Sequence, residues 1–531
     1  MTMVVTVPNE QVEASQRGDD DGVYSPTTVQ SPLHQPALDF SRHFTTRFSV
    51  ASWWRPVRAY VAVAILFIVN LLNYMDRFTI TGVLIDIQKY YGDLSNTGAG
   101  ALQTVFICAY MVCAPLFGYL GDRYNRKAIL AGGIFIWVFA VFASSFVPRN
   151  MFWLFMVLRG VVGVGEASYV TVAPTIIADL FTKQQRSRML MVFFFAIPIG
   201  TGLGFMVGSN VAEWTGDFRW GIRVTPILGI ACLLMIIFVL PEPRRGEAEA
   251  ENVVVVSSEH DTTLLMDLVA LSQNRTYVLS TIGFTFIVFT VGSMVWWTPN
   301  VVIYSLGMNG HKVTPATTAH VSLIFGVISV LSGFIGVTVG SLSAQHWKKS
   351  NPAGDALVCG YSALAAVPFV FFALIIIDKN YTLGWVFIFI AVTLLCFNWA
   401  VVVDMLLYIV VPSRRATASA FQILMTHLFG DAFSPYLIGQ ISSFLVDDDK
   451  SYASEFYGLQ RALYVAPFVL IFGGALFLAS ASHVDDDRKA AETACLATQS
   501  GAVGHPSAEP LCLNVDDDES VAADNPAFVT T

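Results

Sequence analysis

An acid and a base stand side by side in an apolar stretch of the chain. Asp76 and Arg77 lie in the run 57–84, which is long enough to cross a lipid bilayer. Charged side chains at that depth are costly and usually mark a substrate or proton pathway. Asn70, Asn73 and Arg77 are spaced to share one face of a helix, and we expect this face to line a transport pathway. The alternative is that Arg77 reaches along the helix to the membrane surface.

A second pair of ionisable residues lies in the apolar run 151–181. Arg159 and Glu166 are seven residues apart, which is two helical turns, so both side chains point the same way. Burial favours the neutral form of a carboxyl group, so Glu166 is a candidate for taking up and releasing protons. A structural ion pair involving Asp76 or Arg77 is the alternative, and the two interpretations are compatible.

A third polar group occurs late in the chain. His427 and Asp431 are four residues apart, so on a helix they can form a hydrogen bond that raises the proton affinity of the histidine. Gln422 lies one turn and a half before His427. These residues suggest a polar cavity, although a lone membrane histidine is also common as a packed residue.

The elements that position these residues are membrane helices. The chain has 531 residues, of which 55% are hydrophobic and only 13% are charged, about half the charged share of a soluble protein. We predict twelve apolar spans, the eleventh at 414–446, and only helices satisfy their own backbone in lipid at this length. The predicted fold is therefore an all-α membrane protein. The net charge of −9 lies partly in acidic tracts of the tails and loops and argues against nucleic acid as a partner.

The spans divide into two sets of six. We predict a disordered N-terminal tail (1–55), a first six-helix half (56–241), an inter-half loop (242–275), a second half (276–482) and a disordered C-terminal tail (483–531). The connections richer in lysine and arginine lie on the side of the tails, which predicts a cytoplasmic location for both tails and the inter-half loop. An amphipathic piece, Leu264 to Leu271, ends that loop. Two related halves are typical of an alternating-access transporter.

A glycine-rich basic motif follows the second span. It contains Gly118, Gly121, Asp122, Arg123 and Arg126. The glycines allow close helix approach, and Asp122 can pair with Arg126, so we expect a cytoplasmic gate here. This motif resembles the signature of the major facilitator superfamily, Gly-x-x-x-Asp-Arg-x-Gly-Arg-Lys. Asn125 replaces its last glycine, a mild departure because asparagine tolerates a positive φ.

Four further segments are similar to the Spinster family. They are Asn73-Tyr-Met-Asp-Arg77, Gly165-Glu-Ala-Ser168, Asn398-Trp-Ala400, and Arg414-Arg-Ala-Thr417 with the following His427-Leu-Phe-Gly-Asp-Ala-Phe-Ser-Pro-Tyr-Leu-Ile-Gly439. The resemblance covers about residues 55–482 and implies a twelve-helix facilitator fold with a single-chain lipid in a central cavity. It also implies that Asp76, Arg77 and Glu166, with Arg159 nearby, couple protons to exchange. Asn70, Arg77 and Trp399 would line the headgroup region.

The resemblance implies a secondary transporter of a lysophospholipid or a sphingolipid such as sphingosine-1-phosphate. We expect proton coupling, with no other cofactor and no metal, in a monomer of the late endosomal or lysosomal membrane, where its partners are the substrate and membrane lipids. Two short sorting-like patterns, 261–265 and 525–528, favour that compartment. The alternatives are a plasma-membrane exporter of sphingosine-1-phosphate, a facilitator of polar solutes, and a receptor or scaffold. No loop carries a nucleophile–base set, so we expect no enzyme.

Overall fold

The computed structural model describes residues 50–181, 183–243, 264–411, 414–446 and 451–501. Within these ranges the regular structure is helical, and none of the described residues forms a strand. The sorting-like patterns at 261–265 and 525–528 fall largely or wholly outside the described residues.

The first half contains six long helices and one short one. They are α1 (Val50–Gly82), α2 (Leu84–Tyr90), α3 (Asn96–Arg123), α4 (Arg126–Ser144), α5 (Phe152–Leu180), α6 (Lys183–Thr215) and α7 (Phe218–Phe238). Side-chain caps set several helix starts: Ser95 accepts from the Gly98 amide, and Asn125 accepts from the Ala128 amide at 2.7 Å. Asn125 has φ −63°, so this position does not adopt the positive-φ conformation that glycine favours. The asparagine instead serves as the N-cap of α4.

The second half is preceded by a short helix, α8 (Leu264–Gln273), which confirms the helix predicted before the seventh span. Its helices are α9 (Arg275–Met308), α10 (Pro315–Lys348), α11 (Gly354–Ile376), α12 (Tyr381–Cys396), α13 (Asn398–Ile409), α14 (Arg415–Thr426), a π-helix (His427–Ala432), α15 (Phe433–Leu445), α16 (Tyr452–Leu463) and α17 (Val465–Ala481). A last helix, α18 (Val484–Gly501), follows. Helices α12 and α13 join through Phe397, and α16 and α17 through Tyr464, both with right-handed helical backbone angles.

The sequence predicts twelve membrane spans. Among the described residues, eleven helical segments are long and apolar enough to cross a membrane. The predicted span 414–446 is not among them because the π-helix divides it into α14 and α15. Thr426 and Phe433 on either side of the π-helix keep right-handed helical angles, so the helical backbone continues from α14 into α15. The twelfth span stays a prediction. The all-α facilitator architecture is confirmed.

Two boundaries differ from the sequence prediction. Helix α1 already begins at Val50, inside the segment predicted to be a disordered tail. A helix, α18, also occupies Val484–Gly501 within the segment 483–531 that was predicted to be disordered; the rest of that segment lies outside the described residues. Three aspartates occupy the first turn of α18, where they complement the helix dipole, and Lys489 pairs with Asp485 one turn away. Asp487 also accepts a hydrogen bond of 2.7 Å from the Thr276 amide at the start of α9.

The two halves meet at one end of the molecule. We call the end at which α7 ends and α9 begins the terminal end, and the opposite end the distal end. At the distal end α3 packs on α15 and the π-helix: the Thr104 hydroxyl donates to the Ala432 carbonyl at 2.6 Å, and the Thr97 and Ser443 hydroxyls are 3.0 Å apart. Helix α6 packs on α10 through Gly202 and Gly326. These contacts close the distal end.

The halves separate toward the terminal end. Gly100 and Gly118 lie 18 residues apart on α3, which is five helical turns, so they occupy the same face. A Cβ atom added at Gly100 would overlap the carbonyl oxygen of Pro435 on α15, whereas one added at Gly118 would have no atom within 4 Å. Helix α3 therefore diverges from the second half along its length. The interface is closed at the distal end and parts at the terminal end.

Candidate functional site

A buried ion pair joins three helices of the first half. Asp76 of α1 is 0% exposed and Arg159 of α5 is 1% exposed. The guanidinium Nη1 of Arg159 donates to Asp76 Oδ2 at 3.1 Å, and the Thr225 hydroxyl of α7 donates to Asp76 Oδ1 at 2.8 Å. Asp76 therefore has an ion-pair partner, Arg159, in agreement with the alternative of a structural ion pair involving Asp76 or Arg77.

Arg77 points into the protein beside this pair. It is 8% exposed, and its guanidinium carbon lies 4.7 Å from the ring centre of Phe106 and 5.7 Å from that of Tyr74. The guanidinium carbon of Arg159 lies 5.3 Å from the same Phe106 ring. One aromatic ring thus contacts two arginines, a cation–π arrangement. The alternative in which Arg77 extends to the membrane surface does not hold.

Several polar atoms around Arg77 are buried without a hydrogen-bond partner among the described residues. They are Nε of Arg77, both amide atoms of Asn73 and Oε1 of Glu166. Glu166 also interacts electrostatically with Arg77, Asp76 and Arg159. A buried polar atom without a partner costs about 1–3 kcal/mol, so such a group is typical of a site that a ligand or water completes. The site offers donors for an anion and a carboxyl group beside them.

Asn70 has a different role from its neighbours. All three predicted polar residues of α1 are buried, but the Asn70 side-chain amide donates to the Phe193 carbonyl of α6 at 3.0 Å. That bond joins α1 to α6 and uses the donor that a headgroup would need. Asn73 is the better placed of the two asparagines for binding a ligand.

His427 and Asp431 form the predicted pair in the second half. The ring Nδ1 of His427 lies 3.0 Å from both carboxylate oxygens of Asp431. Both residues lie on the π-helix, a distortion that is frequent at functional sites. Asp431 also interacts electrostatically with Arg77, so the two halves each contribute a charged group to the same region.

Trp399 and Gln422 lie elsewhere in the second half. The Trp399 ring packs edge-on against Phe284 of α9 with 5.4 Å between ring centres, and 38% of the residue is exposed. The Gln422 amide donates to the Thr281 hydroxyl at 3.2 Å. The headgroup role that the resemblance assigned to Trp399 therefore stays a prediction.

The predicted gate motif connects α3, α4 and α5. Arg126 forms an ion pair with Asp179 at the end of α5, and its Nε donates to the Gly121 carbonyl at 3.4 Å. Arg123 places its guanidinium carbon 3.9 Å above the Tyr119 ring. The side chain of Asp122 lies outside the described part of the chain, so its predicted bond with Arg126 stays a prediction. These bonds belong to the first half, as expected when the terminal end is open.

Comparison with known proteins decides the family. The model of the Major Facilitator Superfamily matches residues 66–435. Protein spinster homolog 1 of Bos taurus is 47% identical over 437 residues, which are 81% of this chain and 82% of the relative. This chain belongs to the Spinster family of the major facilitator superfamily. A sphingosine-1-phosphate transporter, SPNS2 of Xenopus tropicalis, is 44% identical over 441 residues, 82% of this chain and 84% of the relative.

Solved structures agree with the fold. A bacterial homolog to the human lysosomal transporter Spinster, in an inward-facing and unoccupied conformation, has a TM-score of 0.71 and 17% identity, covering 81% of this chain and 98% of the homolog. A D-xylose-proton symporter has a TM-score of 0.58 and 17% identity, covering 77% of this chain and 96% of the symporter. This Spinster-family protein is a membrane transporter and not an enzyme.

Proposed function

We propose that this Spinster-family protein carries a single-chain lipid with a phosphate headgroup across a late endosomal or lysosomal membrane, coupled to protons. The observation that carries the proposal is the buried Arg77, with donors unfilled beside an unpartnered Asn73 amide. A guanidinium matches the geometry of a phosphate or a carboxylate, because its planar N–H donors bind two oxygens in a pair. The relative named as a sphingosine-1-phosphate transporter supports a lipid substrate.

Glu166 supplies the proposed proton site. Glu166 is 5% exposed, and the positive charge of Arg77 in the same site favours a charged carboxylate. A phosphate bound to Arg77 would cancel part of the favourable field, so Glu166 would hold a proton while the lipid is bound. Release of the lipid would restore the field and release the proton. Asp76 would be held by Arg159 and Thr225 throughout, which keeps the three helices together.

The second half and the open end of the protein also have roles in this proposal. His427 and Asp431 face the site from the second half, and their closeness to Arg77 would depend on how the halves sit. The described conformation would exchange lipid at the terminal end, which the distribution of basic residues predicts to be on the cytoplasmic side. The distal end would then face the lumen, where acidity would supply the protons.

The rival functions differ from this proposal in the compartment or in the substrate. A plasma-membrane exporter of sphingosine-1-phosphate would use the same Arg77 and Glu166, and a facilitator of polar solutes would not need an apolar path. The homolog described as a counterpart of a human lysosomal transporter supports the endolysosomal assignment. Localisation of the tagged full-length protein against lysosomal and surface markers separates the two compartments.

The transport test uses purified protein in proteoliposomes. Uptake of labelled lysophosphatidylcholine and of sphingosine-1-phosphate is measured with and without an inward proton gradient. We expect gradient-dependent uptake of one lipid, loss of uptake in Arg77→Ala, and loss of the gradient effect in Glu166→Gln. Lys312→Gln, a change in the loop between α9 and α10, is the matched control and should transport normally. If correctly folded wild type moves neither lipid, the lipid assignment is wrong.

A further inference from the structure

A cavity lies at the distal end, away from the Arg77 site. Its volume is about 390 Å³, and both halves line it. The lining includes Lys89, Asp93 and Asn96 of the first half, and Tyr304, Tyr452 and Glu455 of the second. Neither the facilitator signature nor the proposed transport mechanism uses these residues.

The cavity is built on the contacts that close the distal end. The Asn96 amide donates to the Ser442 hydroxyl and to Glu455 Oε2, both at 3.0 Å, and so links the two halves. Gln88 donates to Asn96 Oδ1 at 2.9 Å and orients that amide. Parting of the halves at this end would separate the two walls. The cavity therefore exists as a whole only while the distal end is closed.

The chemistry of the lining favours a cation. Among the described lining residues, Asp93 and Glu455 bring two carboxylates and Lys89 brings one ammonium group. The rings of Tyr304 and Tyr452, whose centres are 6.5 Å apart with planes at 45°, line the cavity together with Glu455. Tyr304 is only 8% exposed and lines the cavity. Aromatic faces beside a carboxylate are the usual recognition elements for organic ammonium groups.

We propose that this cavity binds a small organic ammonium ion from the distal side, and that the bound ion holds the distal end closed. A ligand shifts an equilibrium toward the conformation that it binds better. Because the complete site exists only in the closed conformation, the bound ion favours that conformation. The site would thus be regulatory, and its occupation from the distal side would slow the opening that exchange requires.

Binding is tested on the full chain in lipid nanodiscs, with tetramethylammonium as the probe and calorimetric titration as the readout. We expect saturable binding that Glu455→Gln weakens about tenfold, since the amide keeps an acceptor for Asn96 but loses the charge. Lys89→Gln removes the repelling ammonium and should strengthen binding. Lys312→Gln lies outside the cavity lining and should leave binding unchanged. Because this readout needs no transport, it stands apart from the proposed function.

The test depends on Glu455→Gln and Lys89→Gln changing the binding affinity in opposite directions. Lys89 is exposed, so its variant remains informative even where Glu455→Gln fails to fold. Absence of saturable binding to wild type, or the same direction of change in both variants, overturns the site. The closing effect is measured as labelling of Thr97→Cys by a membrane-impermeant maleimide added at the distal side. Saturating tetramethylammonium should slow this labelling several-fold, and an unchanged rate overturns the regulatory part.

Discussion

Gly100 is the position at which a single methyl group should shift the balance between the two conformations. In the closed distal end, a Cβ atom at Gly100 would overlap the Pro435 carbonyl oxygen and lie 2.9 Å from the Tyr436 Cα atom. Both neighbours are backbone of α15, so the overlap cannot be relieved by a side-chain rotation. Overpacking of this kind costs about 1–3 kcal/mol. The cost applies only while α3 and α15 touch, so Gly100→Ala should favour opening by a factor of about 5 to 150.

The assay for this shift is labelling of a distal reporter cysteine, Ser443→Cys, with a membrane-impermeant maleimide. Gly100→Ala should raise the labelling rate in proportion to the open population. Gly132→Ala on α4 is the matched control, because it adds the same methyl group to a helix where no atom lies within 4 Å and outside the predicted gate. It should label at the parent rate. A folded Gly100→Ala protein that labels no faster than the control would refute the closed-end packing described above.

Two further predictions concern stability. Asp76→Asn leaves Arg159 buried without its counter-charge, which should cost about 3–5 kcal/mol of stability and lower the melting temperature sharply. Adding Arg159→Gln to this variant should restore part of the lost stability. An unchanged melting temperature in the single variant would contradict the ion pair. Burial raises the pKa of Asp86 on α2, with Lys89 opposing, so the charged form of Asp86 destabilises the fold as the pH rises through that raised pKa. Asp86→Asn should therefore melt higher than wild type near pH 7, and the difference should vanish in acid.

Much of the charged site was predictable from sequence. Asp76, Arg77, Arg159 and Glu166 are ionisable residues in apolar runs, and the cost of burying charge requires that they find partners inside the protein. Helical spacing then brings His427 next to Asp431, and the structure confirms that contact. The lengths of the apolar runs also predicted the eleven described helical segments that are long and apolar enough to cross a membrane.

Other features depend on contacts between helices that spacing does not encode. Phe106 contacts Arg77 and Arg159, but in the sequence it is one apolar residue of α3 among many. Asp179, the partner of Arg126, lies 53 residues away and becomes its neighbour only through the packing of α4 on α5. The hydrogen bond from Asn70 to Phe193 likewise depends on how α1 meets α6. Helix α18 was missed because its many charges are also typical of a disordered tail.

The central claim is that a lipid crosses this protein by alternate closing of its two ends. The Thr97 and Ser443 hydroxyls are 3.0 Å apart across the closed distal end, so cysteines at both positions should form a disulfide. We would measure uptake of labelled lysophosphatidylcholine and sphingosine-1-phosphate by Thr97→Cys/Ser443→Cys before oxidation, after oxidation and after reduction, with each single variant as control. The account predicts uptake that stops on cross-linking and returns on reduction. Uptake at the wild-type rate by the fully cross-linked protein would contradict it.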